Sequence, residues 1–159
     1  MTGSRWPAVA DALVAALTTA SANPASPLYG AAVLDGPAVG APSAQAAVAV
    51  GWQFDDDVDA AGSIDQSYRT TGGASAWRDE SAEIECAVRV VSGDSAISAT
   101  RLAAFALLDG VSALLRATPD LGLAGVLTVD IASGRVRQAQ SPDGCGVVVE
   151  FAVRVVSVI

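Results

Sequence analysis

Residues 82–90 read Ala82-Glu83-Ile84-Glu85-Cys86-Ala87-Val88-Arg89-Val90, and this stretch decides the fold class. In an extended chain Ala82, Ile84, Cys86, Val88 and Val90 fall on one side, with Glu83, Glu85 and Arg89 on the other. A period of two is the mark of a strand with one buried face. Downstream, Gly93-Asp94-Ser95 opens a long helix whose buried stripe is Ala104, Leu107, Leu108, Val111, Leu114 and Leu115. Ser98, Arg101, Asp109, Ser112 and Arg116 lie on its polar side, and Pro119 marks its end.

Beyond that helix, Val126 to Gln140 and Cys145 to Ile159 flank Ser141-Pro142-Asp143-Gly144, which suits a tight hairpin turn. Leu127, Val129 and Ile131 alternate in the first arm, and Gly134 marks a bulge where the pattern slips to Val136. In the second arm Val147, Val149, Phe151, Val153 and Val155 face the core, with Glu150 and Arg154 opposite.

Upstream, Trp6, Val9, Leu13, Val14 and Leu17 recur at steps of three and four. They predict an amphipathic helix of about three to four turns, with Ser4 as N-cap and Pro7 in the first turn. Leu28 to Leu34 reads as a strand closed by Asp35-Gly36-Pro37. A second strand runs from Ala46 to Phe54, with Val48, Val50, Trp52 and Phe54 on one face. Ser63 to Thr70 is a short strand that leads through Gly72-Gly73 into the stretch quoted first. The order predicts an α+β fold, a mixed or antiparallel β-sheet with two α-helices packed on one face and a β-hairpin insertion over 63–80. No repeat or linker splits the 159 residues, so residues 1–159 are expected to form one domain, which at this size buries about 70% of its unfolded surface.

Composition narrows function. Nine arginines and no lysine stand against 17 acidic residues, for a net charge of −8, a balance that repels phosphate backbones and argues against gripping DNA. Without histidine there is no Ser-His-Asp or Cys-His pair, and without lysine no P-loop or Schiff base. Hydrophobic residues make up 52% and charged residues 16%, leaving little polar surface, so some apolar surface is expected to meet another subunit.

Individual motifs resolve into plain readings. Asp55-Asp56-Asp57-Val58-Asp59 invites a calcium site, yet Ala60 and Gln66 stand where an EF-hand needs its glycine and closing glutamate, which favours a solvated acidic loop. Glu83 and Glu85 share a strand face with Arg89, an arrangement suited to cross-strand ion pairing more than to hydrolysis. Gly144-Cys145-Gly146 precedes a strand and is a turn, not a phosphate loop. No catalytic constellation, metal or cofactor is expected. Cys86 and Cys145 read as buried free thiols. The alternative is a secreted domain bridged by them, whose leader would be Arg5, the Ala12 to Leu17 run and Ala20-Ser21-Ala22, although Asp11 interrupts it. Prolines 24, 27, 37 and 42 interrupt the uncharged stretches Ala12 to Leu34 and Gly36 to Phe54, so neither is expected to span a membrane. A small-molecule-binding α+β domain also remains open.

The succession of pieces resembles the tail terminator proteins of long-tailed phages, in the version found in actinobacterial phages and prophages. The pieces are Val33-Leu34-Asp35-Gly36-Pro37, Val48-Ala49-Val50-Gly51 with the acidic loop, Arg78-Asp79-Glu80 leading into Ile84-Glu85-Cys86-Ala87-Val88, and Ser92-Gly93-Asp94. Arg101 and Ala104, Leu114 to Arg116 with Pro119, Leu121-Gly122, and the Gly144 to Val155 strand complete them. Leu123-Ala124-Gly125 departs from the expected leucine-glycine-glycine junction. The resemblance implies a non-enzymatic virion protein of the tail and neck, assembled in the host cytoplasm. It implies a homo-oligomer, a hexameric ring that caps the tail tube protein, stops its polymerisation and meets the head-tail connector. Genome DNA passes through the lumen without specific binding, and no membrane is involved.

The segment from Asp55 to Glu80 is long for a compact connection and holds Ile64, Tyr68 and Trp77 among glycines, serines and aspartates. A hairpin from Ser63 to Arg78 is expected to reach a neighbouring subunit or the tube through Ile64, Tyr68, Trp77 and Arg78. Asp55, Asp56, Asp57 and Asp59 are expected at its base beside the lumen, repelling DNA. The plainer reading is a mobile surface loop. Asp35, Gly36 and Pro37 are expected to be a structural turn.

Overall fold

The computed structural model describes residues 3–37, 44–54, 62–68 and 78–159. The elements in chain order are α1 (Trp6–Ala22), β1 (Ala32–Asp35), β2 (Ala46–Val50), β3 (Gly62–Tyr68), β4 (Arg78–Ser92), α2 (Ile97–Ala117), β5 (Val126–Ser141) and β6 (Gly144–Val158). The strands form one sheet in the order β1-β2-β4-β6-β5, with β3 also paired to β4. β1 and β2 are parallel and every other pairing is antiparallel.

β4, the stretch that decides the fold, is the spine of this sheet. Its first half pairs with β3, its second half with β2, and nearly its whole length with β6. The expected alternation holds: Ala82, Ile84, Cys86 and Val88 are at most 1% exposed and join Val147, Val149, Phe151, Val153 and Val155 of β6 in the core. Both helices cover that same face. α1 supplies Val9, Leu13 and Leu17, and α2 supplies Ala104, Leu107, Val111 and Leu115. The α+β class, the mixed sheet and the two helices on one face are therefore as the sequence predicts.

α2 is long and apolar enough by length and composition to cross a membrane, at a mean hydropathy of 1.4. Here one side of it packs on β4, β5 and β6. Leu108 and Leu114 are only half-buried, while Thr100 and Gly110 join the buried stripe.

Several boundaries differ from the sequence reading, each for a physical reason. α1 has 17 residues, longer than expected, and Ser4 does not cap it; Arg5 holds the cap position while Ser4 Oγ accepts the Trp6 N–H at 3.1 Å. The apolar run at Leu28 is not strand. Leu28 sits in a turn, 2% exposed, and packs against Gly110 of α2, where a side chain would press on it at 3.0 Å. β1 begins only at Ala32.

β2 ends at Val50 because Gly51 takes φ +73°. This left-handed residue breaks the alternation, so Trp52 and Phe54 do not continue the core face of Val48 and Val50. Trp52 stays buried at 8% outside the aliphatic core, with its ring centroid 4.6 Å from that of Phe54. In β5 the register slips at Ala132, between Ile131 and Ser133, not at Gly134, which pairs with Phe151. A second slip between Val126 and Thr128 turns Leu127 out of the alternation, leaving it 57% exposed.

Candidate assembly surfaces

The hairpin insertion begins as expected: β3 lies antiparallel on β4, from Gly62 opposite Ile84 to Tyr68 opposite Arg78. Its tip, 69–77 with Trp77, lies outside the described residues, as does the acidic loop of Asp55, Asp56, Asp57 and Asp59. Ile64 pairs with Ala82, which places it on the helix-bearing side of the sheet, and it is 52% exposed. Gln66, two residues on, donates from Nε2 to Glu80 at 2.5 Å and accepts from Arg78 Nη1 at 3.2 Å. Arg78 is tied to the end of the chain through paired backbone bonds with Ile159.

Glu80 anchors this corner. It is 1% exposed and also accepts the Arg5 backbone N–H at 2.7 Å and the Ser157 hydroxyl at 3.4 Å. Burial alone would raise its pKa. The hydrogen bonds from Gln66, Ser4, Arg5 and Ser157 outweigh that and hold it below the ordinary 4.5.

Of Asp35, Gly36 and Pro37, the turn residues named from sequence, Asp35 ends β1 and Gly36 and Pro37 follow on as a bend. Gly36 has φ +73° and donates its N–H to Val50 O at 2.8 Å, one residue after Asp35 pairs with Val50. The turn belongs to the sheet and brings no functional group near β3.

The sheet's other face, without helices, holds a polar network that the sequence reading did not assemble. Ala49, Ala87, Glu150 and Arg135 form one row across four strands, and Ala47, Arg89, Val148 and Arg137 the next. Residues 51–54 lie against this face through its polar side chains. Arg137 donates to Gln53 O at 2.9 Å, the Arg89 guanidinium lies 5.0 Å from the Phe54 ring centroid, and the Gln53 side-chain amide bonds Glu85. Glu150 is 2% exposed and accepts Arg135 at 2.6 Å while also pairing with Arg137. Burial, then the charge of Glu83 and more weakly that of Glu150, raise Glu85 above 4.5, against the Gln53 hydrogen bond and the Arg135 charge. Glu83 makes a cross-strand ion pair with Arg154 of β6 at 3.7 Å, a partner the sequence reading did not name. The Arg135–Glu150 pair was legible by counting six positions back along each strand from the Ser141/Gly144 turn.

Among the described residues no three metal-ligating side chains cluster. Burial pushes the Cys86 thiol up to about 12, so it carries no thiolate at neutral pH. Cys86 sits opposite Phe151 and Cys145 opposite Ser92, six positions apart along β4 or roughly 20 Å, which excludes a bridge between them.

A groove of about 250 Å³ lies between the end of α2 and β5, lined by Leu115, Val129 and Ile131 with Ser112, Arg116, Thr128 and Asp130. Among the described residues β5 pairs only with β6, and β3 only with β4, so each presents an open backbone edge.

No family model and no curated protein matches the chain. Sixteen chains of solved structures do match. One belongs to the virion of a native gene transfer agent (GTA) particle and aligns over 94% of this chain and 98% of its own, with a TM-score of 0.50 and 21% sequence identity. That likeness is one of fold, and it extends across nearly the whole of both chains.

Proposed function

We propose that this chain is a structural, non-enzymatic protein of a phage-like particle, and that within the particle it is the tail terminator. The observation that carries the reading is the near-complete, end-to-end fold match with a virion chain, together with the ordered run of tail-terminator-like pieces in the sequence. In this reading residues 1–159 act as one domain, and six copies close into a ring in the virion neck after assembly in the host cytoplasm. The ring stops growth of the tail tube and presents its other surface to the head-tail connector. Among the described residues β1, β3 and β5 each present an open edge of the sheet, and a repeated head-to-tail contact that joins two of these edges suits such an assembly.

The hairpin carrying Ile64, Tyr68, Trp77 and Arg78 would contact a neighbour or the tube. The acidic run Asp55, Asp56, Asp57 and Asp59 would border the lumen, where a net charge of −8 per chain keeps passing DNA from adhering. Deleting the gene in a host that produces the particle tests this reading. Tails of uncontrolled length without heads are expected; particles with normal, joined tails would overturn it.

A further inference from the structure

The geometry points to a specific contact between two copies: β3 of one chain adds to the open edge of β5 in the next, and its Ile64 seats in the groove between β5 and α2. This inference rests on the ring reading and names the surfaces that would build the ring.

The register across the sheet supplies the argument. Ile64 pairs with Ala82, Ala82 with Val155, and Val155 with Val129. Ile64 and Val129 therefore occupy the same row at opposite edges of one sheet, on the same face. The neighbouring rows behave alike: Gly62 runs through Ile84 and Val153 to Ile131, and Asp65 through Ser81 and Val156 to Thr128. Moving one copy sideways onto the next, by a rotation about an axis along the strands, brings these row ends together. β3 is antiparallel to β4, β4 to β6 and β6 to β5, so the two edges run in opposite directions and meet as an antiparallel pair.

The pieces that would meet are matched. The β5 register slips on either side of Thr128 to Ile131, which isolates four regular residues, and all four, Thr128, Val129, Asp130 and Ile131, line the groove along with Leu115. Ile64 is the exposed large aliphatic side chain of β3, and the groove is floored by Leu115 and Val129, each 2% exposed. Across the four rows the opposed residues are Gly62 with Ile131, Ser63 with Asp130, Ile64 with Val129 and Asp65 with Thr128. No like charges face each other, and the Thr128 hydroxyl is placed to donate to Asp65. Main-chain hydrogen bonds would supply affinity and the seated isoleucine would set the register. The contact is heterologous, since different surfaces of the two copies meet, which is what a closed ring requires.

The test mixes two single variants of the full chain, Asp65→Cys and Thr128→Cys, both outside the core, and follows disulfide formation under mild oxidation beside native mass spectrometry. The two native cysteines are buried and add little background. A disulfide-linked pair that forms in the mixture, and not in either variant alone, is the expected result. Ile64→Asp should keep the wild-type circular dichroism and melting temperature while reducing the oligomer population at least tenfold. Oligomers that form without the cross-link and survive Ile64→Asp would overturn the contact and leave the ring reading standing. A wild-type chain that stays monomeric at millimolar concentration would overturn both.

Discussion

The two faces of the sheet each hold inaccessible residues, reached by opposite means. On the helix-bearing face Val48, Ile84, Val88, Val147 and Val153 are at most 1% exposed beneath α1 and α2, and the packing is aliphatic. On the other face Ala47, Ala49 and Ala87 are equally inaccessible, yet what shares that face with them is Glu150, Arg137, Arg89 and the 51–54 segment with its two aromatic rings. The first face is held by area removed from water, the second by hydrogen bonds and ion pairs that must each be satisfied. Burial alone thus does not reveal what holds a surface together; side-chain size does.

The largest expected effect comes from the aliphatic face. Ile84→Ala should cost about 3 kcal/mol in a urea titration, the usual size for a cavity left in a close-packed core. A cost below about 1 kcal/mol would mean that the core collapses around the gap, and the contrast between the faces would fail. Next is the polar face, where Glu150→Ala leaves two arginines without their buried carboxylate. Because Arg135 is 68% exposed and Arg137 40%, solvent recovers part of the loss. About 2 kcal/mol is expected, and a neutral result would show that the network orders the face without stabilising it.

A third variant touches neither face. Gly36→Val meets open space, so only its φ of +73° penalises a side chain. About 1 kcal/mol is expected from left-handed strain, and an unchanged melting curve would show that the turn relaxes.

The smallest effect separates a buried glutamate, Glu80, from a half-buried one, Glu85, by sign. Glu80, lowered below 4.5, contributes stability that is present above that pH and lost as pH falls through its folded value. Glu85, raised above 4.5, is the reverse: the folded chain takes up its proton more readily, and stability declines as pH rises from 4.5 through the folded value. Glu80→Gln should therefore flatten the acid limb of a stability–pH profile, and Glu85→Gln should raise the neutral plateau. Parallel shifts in both variants would contradict the two environments described for them.

The same contrast explains what could be read in advance. The aliphatic face was legible in β4, α2 and β6 because period two and the three-four stripe are local signals, and the Pro142-Asp143-Gly144 turn pinned the hairpin. The misplacement of Leu28 arose because an apolar run has the same composition whether it pairs in a sheet or plugs a helix groove. Trp52 and Phe54 kept their spacing in sequence while one glycine angle moved them off the core face. Of the candidate surface, the strand that carries Ile64 and the glycine at 36 could be read from sequence as local features. The groove that faces Ile64's row could not, since α2 and β5 meet there only through the folded sheet. The polar face was readable in principle from the hairpin register, but its arginines took on meaning only once the 51–54 segment was seen to lie against them.

One feature of the topology bears on biosynthesis. β6 follows every other element in chain order, yet it lies inside the sheet between β4 and β5. While a nascent chain is still short of Gly144, β4 has an uncovered margin from Asp79 to Ser92 and the valines that complete the core are absent. Such a chain resembles an aggregation-prone intermediate, with apolar surface and an unpaired strand exposed together. Closure is then a late, long-range event that follows formation of the local β5–β6 hairpin. The ribosome, not the order of strands in the finished sheet, sets when this protein becomes safe from its own copies.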